Sequence, residues 1–113
     1  MKFYLAQASY TQEAWTAFVK NPQDRTEGLR SLIESLGGRL HGFYYALGDH
    51  DLVVLFEVPD DKVAAAFSLA ARAPGHLSGL RTTALLTPSE LIESLRMAAG
   101  QSYKAPEGFS QGG

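Results

Sequence analysis

The residues best suited to chemistry lie together in one short segment, Asp49-His50-Asp51. A histidine has an ordinary pKa of about 6.5, and neighbouring carboxylates favour its protonated form. A histidine between two carboxylates can therefore accept and return a proton, which is the work of a general base. The simpler interpretation is a polar turn in which Asp51 hydrogen-bonds the loop backbone. We favour the turn, because Gly48 and Asp49 are common hairpin-loop residues.

A second pair with chemical potential is His41 and Glu57, which stand opposite each other if residues 39–47 and 51–58 form a hairpin. The carboxylate could orient the imidazole for base chemistry. An ion pair at an interface is the favoured alternative, because cross-strand charge pairs are common in sheets. His41 would lie roughly 20 Å from the hairpin tip, so it cannot share a metal with His50. The predicted catalytic residues are His50, Asp51 and His41, and no metal site is predicted.

The composition excludes several classes of function. The chain has 113 residues, enough for one core, and no cysteine, which removes disulfides, thiolate metal ligands and a cysteine nucleophile. Ten Lys and Arg against twelve Asp and Glu give a net charge of −2, whereas phosphate-binding surfaces are normally basic. No apolar run approaches the ~20 residues of a membrane helix, and the first residues are too polar for a signal peptide. We expect a cytoplasmic protein without a cofactor that binds neither nucleic acid nor membrane.

The hydrophobic pattern predicts a β-α-β order twice over, followed by a helix. The predicted segments are a strand at 3–9, helices from Thr11 and from Asp24, strands at 39–47 and 51–58, a helix capped by Asp60, a strand at 80–87 and a helix from Thr87. Each half is a split βαβ unit, the signature of a ferredoxin-like α+β sandwich. Right-handed crossovers then give a four-stranded antiparallel sheet whose first and third strands are central. We expect one domain over residues 1–100 and an irregular tail over 101–113.

The predicted hairpin leaves apolar side chains on both of its faces. If Leu47 pairs with Asp51, one face is apolar throughout and should lie under the helices. The other face still carries Phe43, Tyr45, Val53 and Leu55, a patch too large to leave exposed on a monomer. We expect a second copy of the chain to cover this patch. A homodimer contact alone is enough to explain the apolar patch. The alternative is that two such sheets enclose a cleft for a small ligand.

The same topology brings further polar and aromatic side chains to one edge of the sheet. This edge is predicted to gather Tyr10, Trp15, Asp49, His50, Asp51, His76 and Arg81. Aromatic residues there could stack on an aromatic ligand, although such residues more often pack in a core or an interface. The predicted ligand-binding residues are Phe43, Tyr45, Val53, Leu55, Tyr10 and Trp15.

The hairpin and the helix after it resemble the GYD-domain family. The resemblance is carried by residues 39–48, by Asp51-Leu52-Val53 and by Glu57-Val58-Pro59-Asp60-Asp61, and it covers about Phe3 to Pro106. The family is named for a glycine, tyrosine, aspartate motif at this hairpin, and His50 stands where its tyrosine is usual. The resemblance implies a ferredoxin-like fold assembled as a dimeric α+β barrel or a larger homo-oligomer. It implies no established reaction.

Taken together, these features predict a homo-oligomeric module that binds a small hydrophobic or aromatic molecule or another partner without a cofactor. The alternative is a cofactor-independent enzyme of the dimeric α+β barrel type, monooxygenase- or isomerase-like, with His50 or His41 as general base. A purely structural oligomer is the third possibility.

Overall fold

A computed structural model describes residues 1–109 of the chain. Within them, the elements are β1 (Lys2–Tyr10), α1 (Gln12–Lys20), α2 (Thr26–Ser35), β2 (Arg39–Tyr45), β3 (Leu52–Val58), α3 (Asp61–Arg72), β4 (Leu77–Leu85) and α4 (Pro88–Ala99). The strands form one antiparallel sheet in the order β2-β3-β1-β4. The predicted α+β fold, with the first and third strands in the centre of the sheet, is confirmed.

Three of the helices begin at the residues that the sequence predicts. The side chains of Thr11 and Asp60 each accept a hydrogen bond from the backbone N–H three residues on, at 3.1 and 3.0 Å. Thr87 forms a complete capping box with Glu90, and Pro88 occupies the first helical position. These caps satisfy N–H groups that a helix leaves without partners in its first turn.

The start of α2 differs from the prediction. Asp24 and Glu27 have capping-box spacing, but the helix begins at Thr26, one residue too late for Asp24 to be its cap. Asp24 instead accepts a hydrogen bond from the Thr26 N–H at 2.9 Å, and Glu27 pairs with Arg30. The first turn of α2 therefore has no side-chain cap.

The β2–β3 hairpin also differs from the predicted pairing. Tyr45 pairs with Leu52, and the Ala46 N–H donates to the Asp51 carbonyl at 2.8 Å, so residues 46–51 form a longer loop than predicted. The physical reason is that Asp51 is bonded on two sides: its carbonyl accepts from Ala46 in the hairpin, and its N–H donates to the Ala8 carbonyl of β1 at 2.8 Å. Strand pairing therefore starts one residue later than expected.

The register shift changes which face two aromatic residues occupy. Side chains alternate along a strand, so a one-residue shift moves them to the opposite face. Phe43 and Tyr45 now share a face with Leu52 and Val54, on the side of the helices. The prediction that both lie on the uncovered face beside Val53 and Leu55 is wrong. A β-bulge between Leu40 and Gly42 shifts the register once more.

The hydrophobic core lies between one face of the sheet and helices α2 and α3. Alternate residues of the two central strands are buried there, together with Ile33 of α2 and Phe67 of α3. The Phe56 ring lies between those of Tyr4 and Phe67, with centroid distances of 5.6 and 4.5 Å. Tyr4 also donates a hydrogen bond to Asp61 at 2.6 Å. Burial, and then this bond, raise the pKa of Tyr4 to about 12.

The opposite face of the sheet carries large apolar side chains of which none is buried. We call it the open face and define it by Phe3, Leu5, Tyr44, Val53, Leu55 and Leu85. Val53 and Leu55 lie here as the sequence predicts.

The helix α4 also lacks close packing: within residues 1–109 none of its side chains is buried, and its apolar side is about half exposed.

The tail after α4 was predicted to be irregular over residues 101–113. Residues 101–109 contain neither helix nor strand, and residues 110–113 lie outside the described part of the chain. The domain boundary at residue 100 stays a prediction.

The close approach between the end of α2 and β3 yields a stability test. A Cβ atom on Gly38 would collide with the Glu57 carbonyl oxygen and lie 2.7 Å from Val58 Cγ1. We expect Gly38→Ala to lower the free energy of unfolding by about 3 kcal/mol, because backbone atoms cannot yield cheaply. Gly48→Ala is the matched control, since nothing lies within 4 Å of its added Cβ. Urea unfolding measures both; equal stability of the two variants would contradict the close approach.

Candidate functional site

A cavity of about 190 Å³ lies between the helix-covered face of the sheet and helices α2 and α3. It exists because several residues that face it are small: Ala6 and Ala8 on β1, Gly28 on α2 and Ala71 on α3. Larger apolar side chains from the strands and helices, Phe43 and Phe67 among them, complete the walls. The interior of the cavity is therefore apolar.

Polar groups occur only at a few positions of the cavity lining, those of Tyr10, Arg25 and His76. The Tyr10 and His76 rings are 6.0 Å apart, and the His76 carbonyl accepts a hydrogen bond from the Thr11 N–H at 2.9 Å. The Arg25 guanidinium lies over Gly28, where an added Cβ would meet it at 3.2 Å. Three elements thus converge here: the end of β1, the start of α2 and the segment before β4.

Asp51 holds this region together from outside the cavity. Its carboxylate oxygen Oδ2 accepts hydrogen bonds from the Tyr10 N–H at 2.9 Å and from Trp15 Nε1 at 3.2 Å. The Tyr10 ring packs edge-on against Trp15 and Phe18, with centroid distances of 5.2 and 4.9 Å, and lies 6.5 Å from Tyr45. Asp51 therefore joins the hairpin loop to β1 and α1, and this is a structural role for its carboxylate.

The environment determines the charge of the cavity residues. Burial, and then the neighbouring Tyr45 hydroxyl, raise the pKa of Tyr10, so it remains a neutral phenol that can donate a hydrogen bond. Burial, and then the Arg25 guanidinium, lower the pKa of His76, so its imidazole is neutral near pH 7. Arg25 consequently supplies the positive charge of the site. No Asp or Glu lines the cavity, and Arg25 makes no ion pair within residues 1–109.

The structure brings together four of the residues predicted for the sheet edge: Tyr10, Trp15, Asp51 and His76. It does not bring the predicted catalytic residues together. His50 lies in the exposed hairpin loop and its side chain makes no hydrogen bond within residues 1–109, while His41 lies on the opposite face of the sheet.

The sequence pattern does not predict Arg25, which lines the cavity, or Phe18, which packs on the Tyr10 ring outside the lining, as site residues. Phe18 lies on α1 and Arg25 lies immediately before α2, so both are far from the hairpin in the sequence. The alanines at alternate positions of β1 were the available signal, since small residues on a buried strand face leave space below a helix.

Comparison with known proteins identifies the family of this chain. The sequence profile of the GYD domain matches residues 4–95. The chain belongs to the GYD-domain family. No curated protein matches the sequence significantly. Among solved structures, this GYD domain is similar to the crystal structure of MtbAldR, with a TM-score of 0.50 and 11% identity. The match covers 76% of this chain and 52% of that one, so the GYD domain spans about half of that protein's length, and the likeness shows the fold alone.

The predicted pair of His41 and Glu57 does form in this GYD domain. The two side chains meet at 2.6 Å between Nε2 and Oε1, and the His41 ring lies 5.2 Å from that of Phe3. The pair forms despite the altered register because the β-bulge falls at His41. Both side chains are less than one-third exposed, at 29% and 18%. Within residues 1–109, no group of three histidine or acidic side chains has the arrangement of a metal site, and no helix is suited to crossing a membrane.

The Asp51 contacts can be tested by substitution. Asp51→Ala removes the acceptor for the Tyr10 N–H and Trp15 Nε1, and we expect it to lower the free energy of unfolding by about 1 to 3 kcal/mol. The emission of Trp15, the single tryptophan, should change in the folded state. Asp49→Ala removes a carboxylate from the same loop without a side-chain hydrogen bond in residues 1–109, so it should alter neither quantity. Equal effects of the two variants would contradict the structural role of Asp51.

Proposed function

We propose that this GYD domain is a homo-oligomeric module that binds a small apolar molecule in the cavity between the sheet, α2 and α3. The observation that carries the proposal is a preformed apolar space with a few polar groups at one end, which is the usual construction of a ligand pocket. Apolar cavities of about 150 Å³ accept molecules of the size of benzene. A volume of about 190 Å³ therefore suits a molecule of roughly one ring.

The positions of the candidate bases favour binding over catalysis. His41 and His50 do not line the cavity, and the Asp51 carboxylate is engaged by two N–H donors. His76 does line the cavity, and among residues 1–109 no carboxylate lies in the lining to orient this histidine or accept its proton. No observation therefore favours the enzyme alternative. The expectation that the protein acts in the cytoplasm stays a prediction.

The open face supports assembly with a second copy of the chain. Contiguous large apolar side chains on a monomer mark an interaction surface, and Tyr44 and Leu55 are 72% and 36% exposed. Beside them, the open face carries the His41–Glu57 pair and two arginines, Arg39 and Arg81, which stand opposite Glu57 and Gln7 in the sheet. The apolar side of α4, with Leu91, adds a further surface that a second copy would cover.

The ligand cavity can be tested with benzyl alcohol, a neutral one-ring probe, by ¹H–¹⁵N NMR. We expect saturable shifts at the amides of Ala8 and Gly28, which line the cavity. Ala71→Leu fills part of the space and should weaken binding by about tenfold or more. Ala66→Leu makes the same change on an exposed part of α3 outside the lining and should leave binding unchanged. Absence of saturable shifts, or full binding by Ala71→Leu, would contradict the proposal.

The assembly surface can be tested by sedimentation velocity. Leu55→Glu places a charge in the open face of each copy, and we expect the dissociation constant to rise at least about 100-fold, since an apolar contact is lost and a charge is desolvated. Leu69→Glu is the control, because Leu69 is 69% exposed on α3 and lies outside the open face. A wild-type protein that is monomeric at micromolar concentration would refute assembly through this face.

A further inference from the structure

We propose that the cavity takes a small carboxylic acid with an apolar body of about one ring and no ammonium group, and that Arg25 binds its carboxylate. The inference rests on the proposed function, because it names the chemical class of the ligand for the same cavity. It goes beyond that function in assigning a charge to the ligand and a recognition role to one residue.

The charge of the cavity lining favours an anionic ligand. Arg25 is the charged side chain of the lining at neutral pH, since the lining contains no lysine, aspartate or glutamate and His76 is neutral. Within residues 1–109, the Arg25 guanidinium has no carboxylate partner, and its side-chain contact is a 3.4 Å hydrogen bond to Gln23. A guanidinium presents parallel N–H donors that match the two oxygens of a carboxylate. An anionic group on the ligand would complete this site.

The groups beside Arg25 also suit an anion. Tyr10 lines the same cavity as a neutral phenol, which can donate a hydrogen bond to an oxygen anion. His76, 6.0 Å away between ring centroids, contributes a ring N–H in its neutral state. Gly28 belongs to the first turn of α2, whose Thr26 N–H already donates to the Asp24 carboxylate, so the helix N-terminus adds little to the positive charge of Arg25.

An ammonium group on the ligand would have no anionic partner among the described residues of the lining. A buried or half-buried ammonium requires acceptors, and a carboxylate is the strongest of them. Asp51 is the acidic group bonded to the backbone of Tyr10, but it does not line the cavity and already accepts two hydrogen bonds. An ammonium group would therefore meet Arg25 without a compensating anion. We therefore expect the cavity to bind simple carboxylic acids more tightly than amino acids.

The test compares three one-ring probes of similar size and different charge: benzoate, benzyl alcohol and benzylamine. Binding to the full chain is measured near neutral pH by NMR titration of the cavity amides. We expect benzoate to bind about tenfold more tightly than benzyl alcohol, because charge-assisted hydrogen bonds exceed neutral ones, and benzylamine to bind most weakly. Arg25→Gln should bring the affinity for benzoate down to that for benzyl alcohol in the same variant.

The control is Arg72→Gln, which makes the same change of net charge at an exposed arginine of α3 outside the lining. It should retain the preference for benzoate. Equal binding of benzoate and benzyl alcohol to the wild type, or an unchanged preference in Arg25→Gln, would overturn the inference while the apolar cavity remains a ligand site. Failure of all three probes to shift the cavity amides would remove the proposed function and this inference with it.

Discussion

The arrangement of the site depends on the Asp51 carboxylate, which joins three separate segments. It accepts hydrogen bonds from the end of β1 at Tyr10 and from α1 at Trp15, while its own N–H is bonded to Ala8. Because Asp51 is held by β1 and α1, pairing between β2 and β3 begins at Leu52. That register directs Phe43 and Tyr45 toward the helices. The contacts of Asp51 thus lie where the strand pairing begins, and that pairing brings Phe43 into the cavity lining.

The cavity lowers the stability of the fold, and denser packing would remove this loss. An enclosed empty space of this volume would destabilise a domain by several kcal/mol. The cost is lower here because the cavity is partly open, with exposed residues such as Arg25 and Gly28 in its lining, so water or a ligand can occupy it. Leucine or valine in place of Ala6 or Ala8 would have filled it from the strand. Small residues at both positions thus leave room for a molecule that the chain itself does not supply.

The fold could be predicted from the sequence because several independent signals agreed. Thr11, Asp60 and Thr87 marked helix starts, and the β-α-β order determined the sheet topology. The hairpin register could not be predicted in the same way. Its strands are apolar on both faces, so alternation does not distinguish registers that differ by one residue. Long-range hydrogen bonds of Asp51 and the bulge at His41 decided it, and neither has a local sequence signal.

The two central strands explain how a short domain presents two separate surfaces. Along β1, Ala6 and Ala8 face the cavity, whereas Leu5 lies on the open face. Along β3, Val54 faces the cavity and Leu55 lies on the open face. Each surface is therefore built from side chains that do not reach the other. The proposed ligand binding and the proposed assembly depend on different residues of the same strands, so a substitution can affect one while the fold and the other remain.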